Sequence, residues 1–205
     1  MLRLHSVALI LLVVALSQFS IAETIDDKLT QKADKNIKRT EFQKLADKTA
    51  AGGWDALRAG RVADAKYRFN QTFSFDKSNG LALWGIAVIH ANKGEYKESL
   101  RSFEKAEPSL SEDINFNVDY SRTLGYAGVS ARNENMVVNA FERFKKIYNK
   151  SPKHMMNLQN WAIILFYVGN YSEAWEKIKL AEVTPDGKST DQKFVTLLQS
   201  KMPRP

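Results

Sequence analysis

Residues 158–181 read LQNWAIILFYVGNYSEAWEKIKLA. Leu158, Trp161, Ala162 and Leu165 recur at helical spacing, the pattern breaks at Gly169, and it resumes with Tyr171, Ala174, Ile178 and Ala181. Two amphipathic helices joined by a tight turn satisfy that spacing, and alternating strands do not. Glycine supplies the positive φ that ends the first helix, and the aromatic residue two positions later plugs the hairpin.

The same punctuation recurs upstream. Ala65-x3-Phe69, Ser99-x3-Phe103, Ala140-x3-Phe144 and Ala174-x3-Ile178 follow one another at steps of 34, 41 and 34 residues. Twelve residues before each pair stands a small residue, Gly53, Ala87, Gly128 and Ala162, where the first helix of a hairpin must approach the second. Between the helices lie Gly60-x-Val62, Gly94-x-Tyr96 and Gly169-x-Tyr171; in the third unit Asn135-x-Val137 takes that place, Asn tolerating the left-handed region. Three residues beyond each Phe or Ile come Thr72, Ala106, Ile147 and Ala181, and the units close in polar or proline-bearing turns such as Ser151-Pro152 and Thr184-Pro185-Asp186-Gly187.

In these marks the chain resembles the tetratricopeptide repeat family, over about Thr40 to Gly187. The second unit (Leu83, Ala87, Gly94, Tyr96, Phe103, Ala106) and the fourth carry the pattern best, whereas Thr49 stands where the first unit should open on Trp or Leu. The resemblance implies an all-α, right-handed solenoid of four helical hairpins, at about 40–79, 80–110, 111–153 and 154–188, with a C-terminal capping helix and tail over 189–205. Ser189-x-x-Gln192 has the form of a capping box before Phe194, Leu197 and Leu198. Such solenoids act by presenting a surface.

Seven additional residues enter between the second and third units, near Glu107-Pro108-Ser109-Leu110-Ser111-Glu112-Asp113. Pro108 should stop a helix, and Ser111 followed by two acids should start one. Either the next first helix gains two turns, running from about Glu112 to Arg132, or the inter-unit loop lengthens. Both would put a projection such as Phe116 near one edge.

The N-terminus reads differently. Arg3 precedes an unbroken apolar run from Val7 to Leu16 and then the small-x-small string Ser20-Ile21-Ala22, the pattern of a secretory signal peptide over residues 1–22 cleaved after Ala22. Ten apolar residues are too few for a bilayer span. Removing that segment takes away one Arg and no acid, so the net charge falls by one from the +7 of the whole chain. The expected location is periplasmic or secreted, with no integral membrane segment after cleavage. The 205 residues contain no Cys, so disulfides do not support the fold even in an oxidising compartment. In the polar segment 23–39, Ile25, Leu29, Ala33 and Ile37 recur every four residues, forming either a marginal helix or a disordered lead. The sequons at Asn70 and Asn170 fall in helical segments.

No catalytic or metal constellation emerges. Gly187-Lys188-Ser189-Thr190 mimics the end of a phosphate loop, but Glu182 stands where its leading glycine belongs. The resemblance puts His90 where the family usually carries a packed Tyr on the first helix of the second unit, and His154 follows Pro152 at a helix start without companions at ligand spacing. No cofactor, metal or nucleic-acid partner is expected, and the chain is read as a non-enzyme.

If the first helices line a concave side, spacing puts there Trp54, Leu57 and Arg58; Leu81, Trp84, Val88 and Asn92; Arg122, Val129, Arg132 and Asn133; and Gln159, Ile163, Phe166 and Tyr167. Trp, Tyr and Arg are the residue types of binding hot spots, although the tryptophans could equally fill the space between repeats and the arginines a solvated face. The Lys and Asn clamp with which some family members grip chaperone C-termini is not carried over, those positions being Trp54, Trp84, Val88 and Gly125. The expectation is an adaptor that holds a peptide or helix of an envelope protein. An immunity-type protein blocking one toxin or enzyme, a binder of anionic envelope polymer, and self-association of the chain are the alternatives.

Overall fold

The computed structural model of the chain describes Lys38 and residues 40–205. The expected signal peptide, and the stripe Ile25, Leu29, Ala33 and Ile37, lie outside the described residues. A first helix, α1, occupies 40–58. It is followed by α2 (Val62–Phe75), α3 (Gly80–Asn92), α4 (Tyr96–Leu110), α5 (Ile114–Ala131), α6 (Glu134–Lys150), α7 (Met155–Tyr167), α8 (Tyr171–Glu182), a 3-10 turn (Gly187–Ser189) and α9 (Gln192–Lys201). Among the described residues there is no strand, and no helix is long and apolar enough to cross a membrane. The architecture is a solenoid of stacked helical hairpins in which α3 packs on α4, α5 on α6 and α7 on α8, and each hairpin leans on the next.

Helix starts follow from side-chain acceptors. Asn79, Asp113, Asn133, His154, Asn170 and Asp191 each accept a hydrogen bond from a backbone N–H of the helix they precede, satisfying donors that the helix cannot use internally. Asp191, not Ser189, caps α9, because Ser189 is taken up in the 3-10 turn. Gly60, Gly94 and Gly169 carry the expected positive φ of 74°, 75° and 83°. In the third hairpin the left-handed residue is Arg132, at φ 50°, and Asn135 lies in the first turn of α6. There Asn133 caps α6 directly, so the reversal comes earlier in the chain and is one residue shorter.

The repeated small residues sit where the helices of a pair touch. A Cβ on Gly53 would meet Phe69 Cε1 at 2.5 Å, and one on Gly128 would meet the backbone nitrogen of Val137 at 2.9 Å. Ala87 and Ala162 are fully buried, and Ser99 donates from Oγ to the Ala87 carbonyl at 2.7 Å. Ser99 therefore ties α4 to α3 at the position where its counterparts are alanines.

The seven additional residues lengthen α5. Ala87 is the eighth residue of α3 and Ala162 the eighth of α7, whereas Gly128 is the fifteenth of α5. Pro108 does not stop α4, which runs on to Leu110. Proline so near a helix end forfeits a single bond to the carbonyl four residues back. Phe116 does not project either: it is fully buried, edge-on to Trp84 and Phe103 at 5.8 and 5.6 Å between ring centroids. The two added turns thus contribute to the core.

Candidate functional site

The first helices α1, α3, α5 and α7 present a row of aromatic and charged side chains. Trp54 and Trp84 lie 4.5 Å apart, tilted by 57°. Each indole N–H reaches the next first helix or its start: Trp54 Nε1 donates to the Leu81 carbonyl at 3.1 Å, and Trp84 Nε1 to Asp119 Oδ2 at 3.0 Å. Both rings remain half-buried. They staple α1 to α3 and α3 to α5, and each keeps an edge toward solvent, so packing and presentation are combined in the same side chains.

On α5, Asp119, Arg122 and Tyr126 follow at i, i+3 and i+7, which puts them on one face. Arg122 pairs with Asp119 at 3.6 Å. Burial pushes the Asp119 carboxyl above its ordinary value, against the opposing pull of Arg122 and of the Trp84 N–H. Tyr126 stacks on Tyr96 at 6.5 Å and meets Tyr167 edge-on at 5.8 Å. Burial, and then the Tyr167 hydroxyl, raise the Tyr126 phenol. Tyr167 is half-exposed, at 52%. The row therefore runs from two indoles, through an acid–arginine pair, to the phenols of Tyr126 and Tyr167, with Tyr96 at the start of α4 stacked against Tyr126.

Other expected surface residues fall elsewhere. Val88 and Phe166 are 8% and 9% exposed and belong to the core, Val88 beside Phe103 and Phe116, Phe166 edge-on to Phe194 at 5.7 Å. Gln159 is buried because its Oε1 accepts from the backbone N–H of Asp191 at 2.7 Å, anchoring the start of α9. Arg58 is exposed and pairs with Asp55 at 2.6 Å. Arg132 is exposed at the α5–α6 reversal, away from the aromatic row in sequence and with the backbone role described above. Trp54, Trp84, Arg122 and Tyr167 are thus brought into one row, while Val88, Gln159 and Phe166 are withdrawn from the surface. Asp119 and Tyr126 belong to the row although spacing does not put them on the expected surface, and Tyr96, a hairpin mark in the sequence, joins them from the start of α4. Asp119 stands 35 residues after Trp84, short of the 41-residue step between these units, so the repeat register does not point to it.

The remaining titratable groups have local tasks. His90 Nδ1 contacts Glu95 Oε2 at 2.5 Å and holds the Glu95 carboxyl below its ordinary value. His154 Nδ1 accepts from Asn157 N at 3.2 Å, and its Nε2 lies 3.2 Å from Asn115 Oδ1. Among the described residues no three His, Asp or Glu gather as a metal-binding set. The Gly187 turn is closed on itself: Thr190 Oγ1 donates to the Gly187 carbonyl at 2.7 Å, and a Cβ on Gly187 would meet the Glu182 carbonyl at 2.1 Å. No cradle of free backbone amides forms there.

The comparisons with known proteins agree with this architecture. Tetratricopeptide repeat protein 14 of Mus musculus is 26% identical over 121 residues, which is 55% of this chain and 16% of that protein. A crystal structure of a thermophilic tetratricopeptide repeat protein from Thermus thermophilus superposes with a TM-score of 0.67 at 14% identity, covering 78% of this chain and 84% of that one. No protein-family model matches the chain. The chain spans 16% of the length of its mouse relative, so the likeness bears on the repeats alone. Repeat register, hairpin packing and these two likenesses agree on a fold of stacked tetratricopeptide-like hairpins. Folds of this kind serve as protein-protein interaction modules and are generally non-enzymatic.

Proposed function

We propose that this protein is an exported, non-enzymatic adaptor whose first-helix face, Trp54, Trp84, Arg122, Tyr126 and Tyr167, holds a peptide segment or helix of another cell-envelope protein. The observation that carries the reading is the continuous row in which half-exposed indoles and phenols flank a partly desolvated Asp119–Arg122 pair. Large, rigid aromatic rings supply contact area at small entropic cost, and a charged pair beside them sets register. Export is supported by the apolar run Val7 to Leu16 ahead of Ser20-Ile21-Ala22.

Capture experiments with immobilised chain starting at Glu23 test the face. Arg122→Ala combined with Tyr167→Ala should abolish retention of the envelope partner while leaving the helical circular-dichroism spectrum unchanged. Retention at the wild-type level by that variant would refute the assignment. N-terminal sequencing of the protein recovered from the expressing cells tests export, a start at Glu23 being the expected result.

A further inference from the structure

The two added turns of α5 do more than extend the core. They lie beneath a gap between the second helices α4 and α6, forming a groove of about 590 Å3 whose floor includes Tyr120 and Leu124. These residues occupy a different face of α5 from Asp119, Arg122 and Tyr126, so the groove is separate from the aromatic row. Two ion pairs bridge its walls, Arg143 to Glu107 at 2.5 Å and Lys150 to Glu112 at 2.8 Å. Both step forward in the same sense along the chain, so α4 and α6 run parallel. That register puts Glu104 on one wall and Asn139 and Glu142 on the other, together at one end of the groove. Lys146 lies toward the opposite end, where the hydrogen bond and charge of Lys150, and to a smaller extent Lys146, hold the Glu112 carboxyl below its ordinary value.

Glu104 and Glu142 make no hydrogen bond or ion pair within the described residues, and neither does Lys146. The Tyr120 hydroxyl also lines the groove without a protein partner, although the ring is 6% exposed, stacked on Phe103 at 5.0 Å and covered by the Arg143 guanidinium at 4.0 Å. The groove therefore combines an apolar floor, a fixed hydroxyl, an acidic end and a basic end. In a chain of net charge +7, two unpaired carboxylates on facing walls of one groove are a local reversal of sign.

We propose that this groove docks a short extended segment of a partner protein, with a Lys or Arg head between Glu104 and Glu142, its aliphatic stem on Leu124, and an acidic residue two positions away at Lys146. Glu142 and Lys146 are four residues apart on α6, about 6 Å along the axis. Residues two apart in an extended chain are separated by about 6.6 Å, so the two ends match alternate side chains on one face of a strand. A Lys or Arg that rests its stem on apolar surface while its head reaches carboxylates uses both halves of the side chain. The bridges at Arg143 and Lys150 hold the walls, and opposite potentials at the two ends set the direction of the segment.

The test uses the chain from Glu23 labelled with 15N and the acetylated, amidated peptide Leu-Lys-Ala-Glu-Leu, with Leu-Gln-Ala-Gln-Leu as the control. Saturable amide shifts at Leu124, Asn139 and Glu142 are expected with the charged peptide, with at least fivefold weaker binding by Glu104→Gln/Glu142→Gln and by Lys146→Met. These three side chains make no bond in the fold, so the variants should retain the wild-type spectrum elsewhere. Equal affinity for the two peptides, no saturable shift, or binding unaffected by the Gln substitutions would overturn the proposal. Shifts confined to Trp84, Tyr126 and Tyr167 would overturn it as well and would assign the peptide to the first-helix face. Partner capture through Arg122 and Tyr167 is a separate readout, so either reading can fail while the other stands.

Discussion

Trp84 donates its indole N–H to Asp119 Oδ2 at 3.0 Å, joining two first helices across 35 residues. Asp119 is the acceptor that lets a tryptophan sit between repeats and still carry a satisfied polar edge. The same carboxylate is 25% exposed and lies 3.6 Å from Arg122, so packing and the candidate interface meet at one residue.

Asp119 should make stability depend on pH in a defined direction. Burial raises its carboxyl above the ordinary value of 3.8, so its favourable contribution is complete below that pH and is lost as pH rises through the folded-state value. Asp119→Asn keeps an oxygen for the Trp84 N–H and removes the buried charge. In urea unfolding the stability of the variant minus that of wild type should increase as pH rises from 3 to 7, and a decrease over that range would contradict the account.

The small residues at the hairpin crossings should resist growth. Gly128→Val must place its side chain where a Cβ alone already meets Val137 N at 2.9 Å, and Gly53→Val drives into Phe69. Overpacking of this kind costs about 1–3 kcal/mol. Urea midpoints should fall accordingly for both variants, with the helical spectrum retained in the absence of denaturant.

The α5 extension should be necessary to the core. Phe116 is fully buried among Trp84, Phe103 and Tyr120, and Asp113 caps its helix by accepting from Phe116 N at 2.9 Å. Phe116→Ala should cost about 3–5 kcal/mol, and Asp113→Ala about 1 kcal/mol. Chemical denaturation measures both; a near-neutral Phe116→Ala would mean that the added turns are not integral to the fold.

The C-terminal residues should fasten the last hairpin. Trp175 Nε1 donates to the Met202 carbonyl at 3.0 Å, and Arg204 reaches Glu182 at 2.5 Å while lying 5.5 Å from the Trp175 ring. A chain ending at Lys201 leaves that indole N–H without its acceptor, a loss of about 1–3 kcal/mol where water cannot replace it. Fluorescence-detected unfolding should show the lower midpoint, and Trp175 should become accessible to a quencher.

Much of the fold was legible because Ala-x3-Phe and its upstream small residue are local marks of a close helix crossing. Gly53 and Gly128 follow from steric contact that any stacked hairpin imposes. Arg132 in place of Asn135 was not legible, since the hairpin could reverse one turn earlier once Asn133 supplied a cap. Pro108 misled because a lost N–H matters little near a helix end, and Phe116 because its burial depends on Trp84 from the preceding unit. The candidate face was half legible. Spacing points to Trp54, Trp84, Arg122 and Tyr167, but the burial of Val88, Gln159 and Phe166 arises from contacts with neighbouring helices, and the placing of Glu104 and Glu142 on the walls of one groove from a parallel register of α4 and α6 that no single repeat encodes.

Site-specific photo-cross-linking in intact cells tests the central claim that the first-helix face meets a protein partner. A photoreactive phenylalanine at Tyr167 and, separately, at Arg122 should give the same discrete adduct, while one at Tyr67, exposed on α2, should give none. Adducts from Tyr67 with none from Tyr167 or Arg122 would contradict the account and move the interface to the second helices.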